Sequence, residues 1–581
     1  MTDSAIKDGF ANLKDGSEYD NLYLSAKCRS EADWLVGINA SRAFTLKYDA
    51  LLSIGRVQTP TLAILTERQK EINEFVPRTY WEVNAVFDGY KSVWIDLKEN
   101  DSKIFDKDKA FSIAEEVKGK QGTVTSVENK ENKQLPPLLY DLTELQRDCN
   151  KKYSFSAKQT LSIAQDLYEK RKLITYPRTD SRYLSDDMIP KIKSTLLKIN
   201  ATEQYKEFSE YIVTLEKLPL GKRIINNSKI TDHHAIIPTD VKMNIMALSD
   251  AEFKVFDLIV RRFMAVFYPQ YIYNTTKIIT TVDLHNFITK GTTIVQKGWT
   301  ALNIQSKSDK KEEDILPNVK KGDIVTNEEA EAVEKQTVPP KMYNEATLLS
   351  AMENAGRFVD DESLKEQLKE GGLGTPATRA AIIERLLQVG YIQRKGKNLV
   401  PTDKGMKLIE VVPPELKSPE TTGKWEKGLS SISKGKMEDK RFMGSIIRYV
   451  NYIVEQSKKP DKSVSFPKEE KALKKGRKKI SILGKCPKCE DGEILENSKS
   501  FYCTNWKRGC KFSLWKNSVE IYGKTITAKD AKVLVKDRKI VNVDITLPQT
   551  HEKCMGDIVL KEDDSGAVEI INLKRKQETQ L

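Results

Sequence analysis

The stretch Leu173-Ile-Thr-Tyr-Pro-Arg-Thr-Asp-Ser181 decides how this chain is interpreted. Two apolar residues lead to Tyr176, and the proline after it restricts Tyr176 to an extended backbone, which would project the phenol from its element. Arg178 is two residues further on, so on an extended chain it shares the face of Tyr176. A tyrosine that attacks a phosphodiester needs such a cation, because negative charge builds on the phosphate in the transition state. A core tyrosine beside an ordinary turn would fit the same residues.

A second stretch, Thr231-Asp-His-His-Ala-Ile-Ile-Pro-Thr239, contains two of the four histidines of the chain. Adjacent side chains point in different directions, so His233 and His234 are not expected to do one job. An imidazole near a phosphate can donate to a non-bridging oxygen or relay a proton. A pair of metal ligands or a structural turn remains an alternative, although no further His or Cys lies nearby in the sequence.

Two glycine-containing stretches offer donors to a nucleic-acid backbone. In Leu52-Ser-Ile-Gly-Arg-Val-Gln-Thr-Pro60 a glycine permits close approach, and an arginine, a glutamine and a threonine follow it. In Gly371-Gly-Leu-Gly-Thr-Pro-Ala-Thr-Arg379 a glycine turn leads into a helix that Thr375 should cap, and such a helix start favours phosphate. A capped helix and a plain loop explain the two stretches equally well. The basic stretch 391–400 resembles a hairpin, which indicates a winged helix.

Four cysteines form two close pairs: Cys486, Cys489, Cys503 and Cys510. Four thiolates suit tetrahedral zinc, although the second pair is spaced more widely than usual, so the metal could have been lost. Aromatic residues alternate with cations around the pairs, as a surface that stacks single-stranded bases requires. The same aromatics could instead form the small core of a ribbon.

The composition indicates a large, basic, multidomain protein. The 581 residues predict three to five domains, and the net charge of +13 with a pI near 9.0 is typical of proteins with a polyanionic partner such as nucleic acid. The cysteine distribution favours a reducing cytosol, and no run of about 18 apolar residues predicts a membrane span. The chain is therefore expected to be cytoplasmic.

Helical and strand-like segments alternate in a nested order. Helical spacing covers 32–48 and 61–75, with a break at Thr59-Pro60, and short alternating segments follow in 80–127. Helix returns at Leu142, the region 262–304 is strand-rich, and helices resume from Asn344. The nesting predicts that the chain passes out through one layer, forms a distal domain and returns.

Together these motifs resemble the type IA DNA topoisomerases, and most closely those of the topoisomerase III type from Gram-positive bacteria and their mobile elements. The likeness covers nearly the whole chain and follows the order of the family. The segments that carry it are Arg29-Ser-Glu-Ala-Asp-Trp-Leu-Val-Gly37, Ser53-Ile-Gly-Arg-Val-Gln-Thr59, Ile174-Thr-Tyr-Pro-Arg-Thr-Asp-Ser181, Asp232-His-His-Ala-Ile236 and Gly374-Thr-Pro-Ala-Thr-Arg379.

The resemblance implies a fold and a reaction. The fold would be a multidomain α+β toroidal core, with helical gate domains that include winged-helix-like parts, a β-rich arch and a C-terminal zinc-ribbon-like module. Tyr176 would cleave one DNA strand, leaving a 5′-phosphotyrosyl bond, and a second strand would pass before religation, which relaxes or decatenates DNA without ATP. Arg178 and His233 would assist at the scissile phosphate. The residues expected to contact single-stranded DNA are Arg56, Gln58, Thr59, Thr179, Asp180, His234, Thr375, Thr378 and Arg379.

The same resemblance divides the chain into eight segments. Residues 1–78 and 336–456 would form the helical DNA-gate and DNA-binding domain, 79–141 and 243–335 the arch, and 142–242 the catalytic-tyrosine domain. A basic linker at 457–482, with ten Lys or Arg against three Asp or Glu, would lead to the zinc-ribbon-like module at 483–518 and a small α+β module at 519–581.

One family feature has no match in the sequence. Members begin with a TOPRIM domain, whose acidic cluster binds Mg²⁺, and residues 1–30 already resemble the stretch after that domain. Magnesium is therefore expected as the cofactor but lacks its acidic site, and a separately encoded TOPRIM domain is an expected partner. The alternative is a truncated single-stranded DNA-binding remnant that is inactive without that domain. A generic zinc-ribbon binder of nucleic acid would leave Tyr176 and Arg178 without a role.

Overall fold

The computed structural model describes residues 3–230, 232–242, 244–304, 316, 318–458, 464–466, 482–548, 550, 552–563 and 565–575. The chain divides into two compact units, Met1–Pro467 and Lys468–Leu581. Of the predicted basic linker, residues 459–463 and 467–481 lie outside the described residues. None of the described helices is long and apolar enough to cross a membrane.

The first unit contains helices from both ends of its sequence and a set of strands between them. Its helices are α1 (Asp3–Ala11), α2 (Asp20–Tyr48), α3 (Gln58–Asn73), α4 (Lys107–Val117), α5 (Leu142–Tyr153), α6 (Ala157–Glu169), α7 (Ile189–Asn200), α8 (Glu203–Val213), α9 (Asp250–Ala265), α10 (Glu345–Glu353), α11 (Glu362–Gly371), α12 (Pro376–Gln388), α13 (Asp403–Val411), α14 (Pro414–Lys417), α15 (Pro419–Ser433) and α16 (Asp439–Lys458). Its strands are β1 (Thr79–Phe87), β2 (Tyr90–Trp94), β3 (Gln121–Gln134), β4 (Tyr271–Val282), β5 (His285–Gln296), β6 (Ile324–Gln336), β7 (Ile392–Lys395) and β8 (Asn398–Pro401).

Six of these strands close into an antiparallel barrel in the order β1-β2-β5-β4-β3-β6. Strands β1 to β3 precede residues 142–242, which contain Tyr176, and strands β4 to β6 follow them. Both ends of this tyrosine segment therefore lead into the barrel. The Ile and Thr residues of β4 suit a pleated, half-buried surface, which explains the length of this strand. Helix α4 packs on β1 and β6 and contributes Ala110, Ile113 and Val117 to the barrel's apolar cluster.

Helices from the two ends of the unit share one core. Helix α2 packs against α15 and α16, and the cluster joins Phe44 and Leu62 to Trp425 and Phe442. Helices α5 to α9 form a separate core around Phe256. The predicted basic hairpin at 391–400 is confirmed as β7 and β8, whose residues Ile392 to Lys395 pair with Asn398 to Pro401.

Two boundaries differ from the sequence prediction. The predicted break of the helix at Thr59-Pro60 was wrong, because α3 begins at Gln58 and Pro60 lies in its first turn. The first N–H groups of a helix have no intrahelical acceptor, so proline is tolerated there. The second strand block begins at Tyr271 and not at Arg262, because α9 continues to Ala265.

The second unit consists of two small sheets and a helix around one apolar cluster. Its elements are β9 (Gly484–Lys485), β10 (Glu493–Glu496), β11 (Ser500–Cys503), β12 (Ser513–Trp515), α17 (Ala528–Asp537), β13 (Lys539–Thr546), β14 (Lys553–Leu560) and β15 (Val568–Arg575). The sheets have the orders β12-β11-β10-β9 and β13-β14-β15. Phe501 of the first sheet and Leu534 of α17 belong to the same buried cluster.

Candidate functional site

Tyr176 lies in an extended segment that follows α6 and is held by the second histidine-containing stretch. Ile174 bridges Pro238, the Thr175 N–H donates to the Ile237 carbonyl (3.0 Å), and the Ile237 N–H donates to Thr175 Oγ1 (3.0 Å). The two strongest motifs of the sequence are therefore paired by backbone hydrogen bonds, although more than 50 residues separate them.

This pairing places the His233 ring against the Tyr176 ring. Their centroids are 4.4 Å apart with an interplanar angle of 45°, and Tyr168 of α6 contacts the phenol edge-on at 5.5 Å. Thr179 Oγ1 donates to the His233 carbonyl (2.9 Å), so a buried threonine fixes the histidine backbone. No described residue forms a hydrogen bond with the Tyr176 hydroxyl, which leaves the half-buried phenol available to a substrate.

The other predicted residues of these motifs lie in contrasting environments. Arg178 is exposed, and within the described ranges no carboxylate or carbonyl pairs with its guanidinium. His234 is partly buried, its Nδ1 interacts with the Ala235 carbonyl (2.9 Å), and burial lowers its pKa. Asp180 is exposed and acts electrostatically on Arg379, 199 positions later in the chain.

Arg379 is the point at which the tyrosine segment meets the helices near the end of the unit. Its side chain is buried, and it donates from Nη1 to Thr143 Oγ1 (3.0 Å), from Nε to the Gly374 carbonyl (3.0 Å) and from Nη2 to the Gly371 carbonyl (3.2 Å). Burial lowers its pKa against the opposing pull of Glu353, Asp141 and Asp180. Arg379 therefore joins the glycine turn to α5 and is already fully engaged within the protein.

A buried carboxylate completes this junction. Glu345, at the start of α10, accepts a hydrogen bond from the Ala157 N–H (2.6 Å) at the first turn of α6, and its other oxygen accepts from Arg394 (2.8 Å). Glu353, at the end of α10, lies 3.7 Å from Arg182 and 3.9 Å from Arg379. Neither glutamate was predicted from the sequence. Their only signal was an acidic residue after Asn344, which caps α10.

A long groove lies between α2, the turn before α3 and the glycine turn before α12. Its volume is about 930 Å³, and Arg56, Gln58, Thr375 and Thr378 all line it. Four of the nine residues predicted to contact DNA are thus brought to one surface. The groove includes the start of α12. Arg379 of this helix donates to Thr143 of α5, so the groove adjoins the segment that contains Tyr176.

The residues before α3 are engaged with the protein. Arg56 is buried, pairs with Asp33 (2.8 Å) and Glu426 (3.0 Å), and lies over the Trp425 ring. These carboxylates raise its pKa although burial alone would lower it. Gln58 donates to Ser53 Oγ (3.0 Å). Thr59 is buried and its hydroxyl accepts from the Gly55 N–H (3.1 Å), so in this structure it shapes the turn.

The threonines of the glycine turn are exposed. Thr375 is the N-cap residue of α12, but its side chain makes no capping hydrogen bond, and its Oγ1 lies 3.2 Å from that of Thr378. The prediction that the Thr375 side chain caps the helix is therefore wrong. Gly372 has φ +62° and a Cβ there would lie 2.4 Å from the Met352 carbonyl oxygen, so this turn requires glycine.

The four cysteines of the second unit come together as predicted. All four Sγ atoms lie within 4.8 Å of one another, with Cys486–Cys510 at 3.7 Å and Cys489–Cys503 at 3.5 Å. Four thiolates about 2.3 Å from a tetrahedral zinc would be about 3.8 Å apart, so the donor set and the spacing fit this ion. Backbone N–H groups of Lys488 and Asn505 point to two of the sulfurs, as second-sphere donors do.

The aromatic residues around this cluster divide into two sets. Phe501 and Phe512 are buried in the core of the unit, whereas Trp506 and Trp515 are 58% and 51% exposed. Both predicted uses of the aromatics, a ribbon core and an exposed surface, are therefore present in different residues.

Magnesium does not fit the residues at hand. It prefers carboxylate oxygens in octahedral geometry. In the part of the chain that the structure describes, the cysteine cluster is the one group of three or more His, Cys, Asp or Glu side chains whose ligand atoms lie close enough to share an ion.

The chain is similar to known proteins over most of its length. Residues 17–444 match a family model described as DNA topoisomerase. The chain is 43% identical to DNA topoisomerase 3 of Bacillus subtilis over 467 residues, which is 79% of this chain and 64% of that protein. It is also 43% identical over 471 residues to DNA topoisomerase 3 of Bacillus anthracis, covering 80% and 64%. The chain thus spans a little under two thirds of the length of these relatives.

A solved structure supports the same fold. The full-length topoisomerase I from Thermotoga maritima superimposes with a TM-score of 0.61 at 22% identity, covering 87% of this chain and 77% of that one. The predicted fold class is confirmed by this likeness and by the cysteine cluster at the C-terminal end.

Proposed function

We propose, from the premise that the chain belongs to the type IA DNA topoisomerase family and is similar to topoisomerase III, that Tyr176 cleaves and rejoins one strand of DNA. The observation that carries the proposal is the close, tilted contact between the rings of Tyr176 and His233, two residues before an exposed Arg178 that has no partner among the described residues. A nucleophile, an imidazole and a free cation are what transesterification at a phosphate needs.

The reaction exchanges one phosphodiester for another. Tyr176 Oη forms a bond to phosphorus, the bond from phosphorus to the 3′ oxygen breaks, and the phenolic proton passes to that oxygen as it leaves as a 3′-hydroxyl. Arg178 would stabilise the charge on the non-bridging oxygens. His233 would hold the phenol ring by its close contact and present its imidazole to the phosphate, whereas His234, with its Nδ1 at a carbonyl, would position the backbone.

The groove would hold the strand that is cut. Thr375 and Thr378 are exposed there and would donate to phosphate oxygens, and the exposed Asp180 would approach the strand at the tyrosine. The buried Thr179 would act indirectly, by holding the His233 backbone. Arg56, Gln58, Thr59 and Arg379 would act by shaping the groove, because the structure shows their polar groups in contact with the protein. The arch, the tyrosine domain and the helical domain would keep the boundaries that the sequence predicts.

We also propose that the four cysteines bind one zinc ion. The metal would fix the loops of the small sheet, so that the exposed Trp506 and Trp515 stack on bases of a single strand.

The test is a covalent trap. The chain is incubated with a labelled single-stranded oligonucleotide and Mg²⁺, denatured and run on a gel, with and without a TOPRIM domain supplied as a second protein. We expect an adduct in at least one arm and none with Tyr176→Phe. Tyr168→Phe is the matched control, because it keeps the neighbouring ring and should leave the adduct in place. An adduct that persists in Tyr176→Phe would contradict the assignment of Tyr176 as the nucleophile. Binding of the oligonucleotide without an adduct in either arm would favour the alternative of a single-stranded DNA-binding protein.

A further inference from the structure

A cavity lies between helices α15 and α16, apart from the groove described above. Its volume is about 420 Å³, within the usual range for ligand sites of about 300–1,000 Å³. The two helices, α14 and the turn before α16 line it, and none of its lining residues lines the groove. An occupant of this cavity would therefore be separate from the strand that the groove is proposed to hold.

Two arginines of α16 line the cavity, and neither forms an ion pair with a described residue. Arg441 and Arg448 are both exposed, and a spacing of seven residues puts them on one face of the helix, roughly 10 Å apart along its axis. The third cation of the lining, Lys424, pairs with Glu420 at 3.6 Å, and the single carboxylate is Glu415. The wall therefore presents two guanidinium groups, the side chain that best matches the geometry of a carboxylate.

The rest of the cavity wall is mainly apolar. Trp425, Phe442 and Ile446 are buried there, and Met437 is partly buried beside them. The Trp425 ring is already covered, because Arg56 lies over it at 5.0 Å and Phe442 meets it in a T-shaped contact at 6.3 Å. A nucleic-acid base needs an exposed ring on which to stack, whereas an aliphatic side chain needs only apolar walls. The cavity therefore suits an aliphatic side chain better than a base.

Tyr449 also lines the cavity, and its ring stacks on that of Tyr452 at 6.5 Å. Its hydroxyl is buried and forms no hydrogen bond with a described residue. Thr421, across the cavity on α15, donates its own proton to the Glu415 carbonyl. Burial and the charge of Glu415 raise the pKa of Tyr449, so the phenol keeps its proton. A buried donor without an acceptor is unfavourable, and an acceptor brought by a ligand would relieve this.

We propose that this cavity binds a short acidic segment of a partner protein, which places one large aliphatic side chain between α15 and α16 and carboxylates at Arg441 and Arg448. Clusters of arginine are a recurring means of recognising acidic peptide motifs. An extended chain advances about 3.3 Å per residue, so roughly three residues span the distance between the two arginines. The inference does not rest on the proposed function, because it uses neither the groove nor the tyrosine segment.

The test measures the binding of fluorescent peptides to the full chain. In the probe, one leucine is flanked on each side by two aspartates, and a matched peptide has serine in place of the leucine. We expect the leucine peptide to bind about tenfold more tightly than the serine peptide, the difference that burial of one leucine side chain gives. Equal affinities of the two peptides would overturn the inference.

A matched pair of variants separates binding at the cavity from general attraction to a basic protein. Arg441→Gln with Arg448→Gln should weaken binding of the leucine peptide several-fold. Lys191→Gln with Lys198→Gln removes the same charge at the same spacing from exposed positions of α7, and should leave the affinity unchanged. Equal losses in the two double variants would mean that the peptide follows net charge alone, and would overturn the inference.

A third variant fills the cavity and keeps both arginines. Ser445 is exposed at the cavity wall, so Ser445→Phe should abolish the preference for the leucine peptide over the serine peptide. A preference that survives this substitution would place the leucine elsewhere and contradict the inference. A thymidine pentanucleotide, which carries the same four negative charges as the peptides, tests the other class of partner. If the arginine double variant weakens the pentanucleotide and not the leucine peptide, the arginines bind nucleic acid and the inference fails.

Discussion

At the scale of single residues, two adjacent histidines have different surroundings. His233 is exposed and its ring contacts that of Tyr176, whereas His234 is partly buried with its Nδ1 at a carbonyl. The sequence predicted that the two would not share a job, because adjacent side chains diverge. It could not show which of them reaches the tyrosine, since that depends on the pairing of 174–175 with 237–238.

This difference predicts different losses on substitution. His233→Ala should slow single-turnover cleavage by about 100-fold, the lower range for a positioned acid or base, with little change in stability. His234→Ala should instead destabilise the fold by about 1 kcal/mol, the net contribution of one hydrogen bond, because the Ala235 carbonyl keeps its second bond from Thr175 Oγ1. Cleavage rates and urea midpoints of the two variants test this. Equal rates in wild type and His233→Ala would remove the histidine from the reaction.

Asp141 predicts a pH dependence. Burial raises the pKa of this carboxyl to about 6, although Arg182 and the Glu144 N–H act to lower it. A raised pKa in the folded state means that the contribution to stability is full below the unfolded value and is lost as pH rises through about 6. Between pH 4.5 and 7.5, the free energy of unfolding of the wild type should therefore fall by about 1–3 kcal/mol relative to that of Asp141→Asn. The asparagine can still cap α5. Parallel urea midpoints across this range would contradict the prediction.

At the scale of elements, local signals gave the positions of helices and the hairpin, and contacts between distant segments set their ends. Helix was expected to resume at Thr61, after a break at Thr59-Pro60, but α3 begins at Gln58 and Pro60 lies in its first turn. Thr375 was expected to cap α12 with its side chain, but its hydroxyl lies against that of Thr378 instead. Propensity is local, whereas Glu345 bonding to Ala157 joins residues 188 positions apart, so no periodicity reports it.

That bond is expected to hold α6 to α10. Glu345→Gln should weaken it by about 1–3 kcal/mol, because it replaces a charged acceptor of a buried N–H. Hydrogen exchange at the Ala157 amide should accelerate accordingly. Glu384→Gln is the control, because it removes the other partner of Arg394 and leaves Glu345 in place. Unchanged exchange in Glu345→Gln, or equal acceleration in both variants, would show that the junction is held elsewhere.

The cysteine cluster predicts a local effect of metal removal. Because a structural zinc site contributes its binding energy to folding, chelation should abolish hydrogen-exchange protection in 484–515 and leave 142–230 unaffected. Cys489→Ser should reproduce this loss and lower the bound zinc below one ion per chain, whereas Cys554→Ser, outside the cluster, should keep it. Full protection after chelation would mean that the apolar cluster alone folds this sheet.

At the scale of the whole molecule, the net charge of +13 overstates the charge available to DNA in the groove. Arg29 and Arg56 both pair with Glu426, and Arg379 is engaged by carbonyls and a threonine. We therefore expect the affinity for a short single strand to depend on only a few released counterions.

Arg178 should be one of the cations that neutralise a phosphate and so contribute to the salt dependence of binding. Each phosphate neutralised on a single strand contributes about −0.7 to the slope of log K against log salt concentration, so Arg178→Ala should make the slope shallower by about 0.7. Lys91→Gln should leave it unchanged. The measurement is a titration of an oligonucleotide between 50 and 400 mM KCl, run under binding conditions without Mg²⁺. An identical slope for wild type and Arg178→Ala would place this arginine away from the strand.

The nesting of the chain also bears on how the protein is made. Arg29 in α2 finds its partner Glu426 only after 397 further residues have been added. At a synthesis rate of about 5–20 residues per second, α2 waits for roughly 20–80 s on the ribosome with its apolar face uncovered, while the barrel and the tyrosine segment between them can already assemble. Helix α2 is therefore the part of the nascent protein on which a chaperone would have to act.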